Sequence, residues 1–206
     1  MLDAILQFRN KIHPISLNQF NLVLAIWLGV VLNLSFFQQI HHLTPYQGMK
    51  AYLFLAATVV VIIAAYYFIF QLLNWNWTAK PIAIVLLFIG GFAAYAVNSL
   101  GVLITPDQIQ NLMQTDLAEA RDTWSWRLVG WTLVITLLPI IATLMVKIKS
   151  EPVIRQMWKK ILTSVLSLAI VAGLLFVFYV DFAAIFREHH DLKSMISPQN
   201  MISSFT

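Results

Sequence analysis

The chain has 206 residues, 60% of them hydrophobic and only 11% charged, with a mean hydropathy of +0.78. A soluble domain carries about 25% charged residues, so this composition excludes a small soluble domain and fits an integral membrane protein. Cysteine is absent, which rules out a disulfide framework or a thiolate metal site. The net charge of +4 is carried by loops between apolar runs, so nucleic acid is not an expected partner.

A helix rises about 1.5 Å per residue, so a hydrocarbon core of about 30 Å takes about 20 apolar residues to cross. Five runs meet that length. The first, over residues 20–40, contains "LVLAIWLGVVL" and is followed by "NLSFFQQ", which has no small-x-small cleavage pattern; it reads as a retained anchor, not a signal peptide. The second covers residues 51–73. The third, residues 81–97, opens on Pro81, a favourable first helical position. The fourth, residues 128–146, holds Pro139 as an expected kink, and the fifth covers residues 161–179. Trp27, Trp75, Trp77, Trp124, Trp126 and Trp158 fall mostly near span ends, where indole favours the interface.

Loop charges give the orientation. Arg9, Lys11, Lys80, Lys147, Lys149, Arg155, Lys159 and Lys160, eight of the thirteen basic residues, fall on one side, the last five in the loop "VKIKSEPVIRQMWKK". Lys50, Arg121, Arg127, Arg187 and Lys193 fall on the other. The positive-inside rule then places the N-terminus in the cytoplasm and, after five spans, the C-terminus outside. The expected fold is an all-α membrane protein: five transmembrane helices plus periplasmic amphipathic helices. Residues 1–182 form the transmembrane domain. Residues 183–206 read as a juxtamembrane segment and the start of a linker.

Four of the nine acidic residues sit in "DQIQNLMQTDLAEARDTW", between the third and fourth spans. "TPDQ" at Thr105–Gln108 has the form of a capping box with Pro at the first helical position. Ile109, Leu112, Met113, Leu117 and Ala120 then recur at helical spacing, with Gln108, Asn111, Thr115, Glu119 and Asp122 opposite. Residues 105–122 are thus expected as an amphipathic helix on the outer membrane surface. Asp116 interrupts the pattern, and a break at Thr115 with "DLAE" as a second capping box would accommodate it. The polar face is either simply solvated or offers amides and carboxylates at headgroup depth.

Other polar positions carry less. Asn33 and Asn98 suit helix-packing hydrogen bonds better than substrate binding, and Gly90-Gly91 suits close helix approach. Adjacent histidines point apart, so neither His41-His42 nor His189-His190 is expected to hold a metal. No Asp, Glu, Lys or Arg is expected mid-span, which argues against an ion-coupled transporter.

"NLSFF" at 33–37, "QNLMQTDLAEARD" at 110–122, "LLP" at 137–139 and "FREHHDLKSMISP" at 186–198, in this order on five spans, resemble the N-terminal membrane domain of bacterial lipid A phosphoethanolamine transferases. Asn111, Gln114, Thr115, Asp116 and Glu119 match the family's N-x-x-Q-T-D-x-x-E. The chain departs from the family where "NSLGVLITPD" lacks an aromatic and an Asp, where Lys193 replaces Arg, and where Ser197 replaces Asn before Pro198.

The resemblance implies an enzyme of the bacterial inner membrane that moves phosphoethanolamine from phosphatidylethanolamine to a lipid A phosphate, giving polymyxin resistance. Zinc and a threonine nucleophile are then expected in a periplasmic catalytic domain outside this sequence; no cofactor is expected in this chain, which alone should be inactive. The implied partners are both lipids, the membrane and that catalytic domain. The implied substrate-binding residues are Asn111, Gln114, Thr115, Glu119, Arg187, His189 and Lys193. A stand-alone membrane scaffold or lipid-binding subunit, or a transferase for another glycan or lipid, are the competing readings.

Overall fold

The structure, a computed structural model, describes residues 13–101, 125–188, 192 and 195–198. Its helices are α1 (Leu17–Gly29), α2 (Leu34–Leu43), α3 (Met49–Leu73), α4 (Ala79–Leu100), α5 (Trp126–Trp131), α6 (Leu138–Met145), α7 (Val153–Val177) and α8 (Tyr179–Glu188). Five helical stretches are long and apolar enough to cross a membrane: Leu17–Leu43, Met49–Leu73, Ala79–Ser99, Trp126–Met145 and Val153–Val177. The all-α, five-span expectation is therefore met, and the chain is a multi-pass membrane protein.

Two spans are broken. Between α1 and α2 the backbone tightens into a 3-10 turn, Val31–Asn33. Between α5 and α6 it loosens into a π turn, Thr132–Leu137, in which Leu138 N–H reaches back to Leu133 O. Pro139 lies just beyond; its ring cannot fit against a regular preceding turn, and the wider turn absorbs it.

The ends of the fifth span differ from the sequence reading. α7 starts at Val153, not near residue 161, because the basic stretch after Pro152 is itself helical. Gln156, Lys160, Ser164 and Ser167 recur on one face and are buried. Lys160 is therefore not a loop residue but a buried one, only 7% exposed.

Helix α3 is the centre of the bundle: α7 packs on one side of it and α1 on another, while α4 packs on α1, α6 and the π turn. One apolar cluster joins Phe20, Leu24 and Leu28 of α1 with Phe70 of α3 and Leu87 of α4. A second joins Phe36, Phe37 and Ile40 of α2 with Phe54 of α3, Phe182 and Ile185 of α8, and Leu192 beyond it. Phe54 anchors the second cluster, its ring 4.9 Å from Phe182 and edge-on to Phe178. Outward residues such as Leu162, Val165, Phe176 and Val180 are exposed and apolar, as lipid-facing side chains are.

The elements sort into two ends. At the basic end, Ile15 bridges the loop before α7, accepting from Lys149 N–H and donating to Lys147 O. Lys80 donates to Leu144 O and Lys159 pairs with Glu151 at the same end. At the opposite end lie the α2–α3 loop, the α4 terminus, the start of α5, and α8 with the tail.

Candidate functional site

The opposite end is organised by the break in the first span. Where α1 stops, the carbonyls of Leu28 and Gly29 lose regular helical donors. The Asn33 side chain replaces them, its Nδ2 lying 2.7 Å from Leu28 O and 3.3 Å from Gly29 O. A broken helix inside a bilayer requires such repair, because no water is present to provide it.

The same amide grips the tail. Ser197 N–H donates to Asn33 Oδ1 at 2.7 Å, and Asn33 Nδ2 donates to Ser197 O at 3.0 Å. Asn33 thus pairs with Ser197 in both senses, as a neighbouring strand would. The Tyr66 hydroxyl donates to the same Ser197 carbonyl at 2.9 Å. Asn33 and Ser197 are essentially fully buried. Gly90 leaves room for this approach: a Cβ there would stand 2.8 Å from Leu32 Cδ1 and 3.4 Å from Pro198 Cβ.

Further ties hold the neighbouring elements. Asn98 on α4 accepts from the Ser35 N–H and hydroxyl and donates to Ala94 O and Leu32 O, locking α4 to the start of α2. Val97, one residue earlier, packs on Met195 of the tail. Gly91 lies against Thr136 of the π turn, where an added methyl would overlap the threonine, and Trp131 Nε1 donates to Gly91 O at 2.9 Å. The Tyr95 hydroxyl meets Ser125 Oγ at 3.2 Å, and Ser125 caps α5 by accepting from Leu128 N–H. Tyr46 of the α2–α3 loop donates to Asp181 of α8 at 2.9 Å, and that hydrogen bond, with burial and the carboxylate charge, raises the tyrosine pKa above its ordinary value.

Arg187 lies in the last turn of α8, where a cation opposes the helix dipole. Asn111, Gln114, Thr115, Glu119, His189 and Lys193, together with the rest of segment 105–122, lie outside the described residues. The helix-packing role of Asn33 and Asn98 is seen, and Asn33 adds the grip on Ser197. His41 rests against Tyr52, ring centroids 5.4 Å apart. Among the described residues no three His, Asp or Glu side chains converge on a point.

Sequence reasoning missed a buried polar cluster at the basic end. Asn21, Gln71 and Asn74 are each no more than 1% exposed, and Lys160 donates to Asn74 O at 2.9 Å with its ammonium 3.8 Å from the Trp75 ring centre. The available signal was Asn21 and Gln71 standing inside apolar runs.

Residues 62–206 match the family model described as phosphoethanolamine transferase EptA/EptB. The chain is 28% identical over 190 residues to phosphoethanolamine transferase EptA of Escherichia coli O157:H7, covering 88% of this chain and 33% of that protein. It is 26% identical over 191 residues to phosphatidylethanolamine transferase Mcr-2 of Escherichia coli, covering 92% and 35%. Its fold is similar to that of the integral membrane lipooligosaccharide phosphoethanolamine transferase A from Neisseria meningitidis, with a TM-score of 0.85 at 24% identity, over 91% of this chain and 35% of that one. The chain spans about a third of the length of these relatives and aligns with their membrane domain.

Proposed function

Because the chain belongs to the phosphoethanolamine transferase EptA/EptB family, we propose that it is the membrane-embedded, lipid-presenting part of an enzyme that moves phosphoethanolamine from phosphatidylethanolamine to a lipid A phosphate. The observation that carries the presenting role is the grip of Asn33 and Tyr66 on Ser197. It fixes the chain beyond the last span against the bundle at Ser197, so that any domain joined beyond Pro198 is tethered from a set point at the membrane. The same end carries the flanks of segment 105–122, near Tyr95 and Ser125.

In this reading Glu119 pairs with the ethanolamine ammonium and Asn111 donates to a phosphate or ester oxygen. Thr115 shares their ridge, Gln114 is a further headgroup contact, and Arg187, His189 and Lys193 hold lipid phosphate beside the last span. Zinc and the attacking threonine belong to a catalytic domain beyond these residues; the described side chains do not converge on a metal site, so no metal step is assigned to them. The basic end faces the cytoplasm, in the inner membrane, and the tail faces the periplasm. Each transferred group adds an ammonium to lipid A, lowers the negative surface charge and weakens the binding of cationic polymyxins.

The test is the lipid A mass profile of polymyxin-sensitive cells expressing the full-length protein. The expected result is a mass increment of phosphoethanolamine and raised polymyxin tolerance. Unmodified lipid A at matched expression overturns the acceptor, and the group appearing on another glycolipid reassigns it. Residues 1–206 purified alone should insert in membranes and transfer nothing; measurable transfer by this fragment would place the chemistry inside it.

A further inference from the structure

At the basic end, an amide relay runs from α3 to α1 and back. Asn74 Nδ2 donates to Asn21 Oδ1 at 2.8 Å, and Asn21 Nδ2 donates to Gln71 Oε1 at 3.1 Å. The direction of the relay is fixed by chemistry. Asn21 Nδ2 also meets Phe70 O at 3.3 Å, and a carbonyl can only accept. Gln71 must therefore turn its oxygen to Asn21, which leaves its amino group pointing away. That Nε2 is buried and has no partner, although Gln71 is only 1% exposed. An unpaired buried donor costs free energy.

Gln71 lines a groove of about 320 Å³ between α3 and α7, and Lys160 lines it too. The Lys160 ammonium gives one hydrogen to Asn74 O and lies over the Trp75 ring. No carboxylate lies against it among the described residues, where the ion pair is Lys159 with Glu151. A buried cation without a counter-charge is expensive in a membrane protein. The groove therefore offers donors, an ammonium and an amide, and both call for an anionic acceptor. Its outer wall is apolar and open to the bilayer: Leu72 is 58% exposed, Ile161 51% and Val165 62%.

We infer that this groove binds one anionic phospholipid, its phosphodiester held by Lys160 and Gln71 and an acyl chain lying along Leu72, Ile161 and Val165. The occupant is a lipid and not free phosphate, because the polar groups sit at the head of a membrane-facing apolar wall. It carries net negative charge, because Lys149 and Arg155 lie at the same end and would repel an added ammonium. The site lies at the end of the bundle opposite the tail and does not depend on the transferase acceptor.

The test is native mass spectrometry of the full-length protein in detergent, stripped of lipid and titrated with phosphatidylglycerol, phosphatidylethanolamine or inorganic phosphate. The expected result is one tight phosphatidylglycerol adduct, at least about tenfold tighter than phosphatidylethanolamine and undisturbed by millimolar phosphate. Gln71→Glu is the decisive variant. It keeps the acceptor for Asn21 but places a carboxylate beside Lys160, so it should weaken the tight adduct by about tenfold or more and raise the melting temperature of the lipid-free protein. Lys160→Met should lose the adduct, Lys160→Arg should keep it, and Lys50→Gln, an exposed change at the opposite end of the bundle, should leave it intact. An unchanged adduct in Gln71→Glu overturns the proposal even if Lys160→Met does not fold. Displacement of phosphatidylglycerol by inorganic phosphate overturns the lipid assignment.

Discussion

Asn33 does what no other side chain in the described bundle does: it repairs a broken helix and holds a segment 164 residues away. Asn33→Ala removes both functions and should cost about 1–3 kcal/mol, read as a lower unfolding temperature in detergent. Asn33→Asp keeps an acceptor for Ser197 N–H but loses every donor, so it should not rescue stability. Limited proteolysis separates the two roles, since a released tail becomes a new cleavage site. Tyr46 supplies a pH prediction. Its hydroxyl donates to Asp181, so the folded protein holds that proton more tightly than the unfolded chain, whose value is near 10.0. The contribution is complete below that value and is lost as pH rises through the folded pKa. Thermal melts above about pH 10 should fall more steeply for the natural chain than for Tyr46→Phe, which has no proton to lose.

At the scale of elements, the contact of α4 with the π turn depends on a missing side chain. Gly91→Ala sets a methyl into Thr136 and should destabilise by about 1–3 kcal/mol in a detergent melt. Gly173→Ala, on an open stretch of α7, meets nothing and should stay within about 1 kcal/mol of the natural chain, or gain slightly from helix propensity. The existence of the spans was legible because apolar length is local information. The use of Gly90-Gly91 for close approach was legible for the same reason. The break at Val31–Asn33 was not: no proline marks it, and its repair is visible only once Leu28 and Gly29 carbonyls have a position. The burial of Lys160 escaped as well, because its partners Asn74 and Trp75 come from the connection after α3, 86 and 85 residues away. Read in sequence, it is one more basic residue in a basic stretch.

For the molecule as a whole, the division into two ends makes orientation testable. The chain has no cysteine, so single cysteines report without background. Met49→Cys, 74% exposed at the tail end, should react with an impermeant maleimide in intact spheroplasts. Trp77→Cys, 80% exposed at the basic end, should react only after permeabilisation. The reverse pattern would invert the topology drawn from the eight-to-five split of basic residues. The residues proposed to meet the lipid headgroup were legible only through their resemblance to a family motif, since amphipathic spacing alone fits a merely wet helix face. Asn111→Ala and Glu119→Gln in the full-length enzyme should lower lipid modification with little change in melting temperature. A loss of about 1 kcal/mol in stability alongside the lost activity would instead assign them to a helix cap.

The pinning of Ser197 also sets a search volume. A free chain over the ten residues from Glu188 to Pro198 would wander with an end-to-end distance of roughly 17 Å. Held by Asn33 and Tyr66, Ser197 itself is a fixed point. Whatever is joined beyond Pro198 begins its excursions from a stationary origin, and its local concentration over the membrane surface depends only on the residues after that point. Flexible residues inserted after Pro198 should dilute it roughly as the −3/2 power of tether length, whereas the same insertion between Glu188 and Leu192 would be largely absorbed while the grip holds.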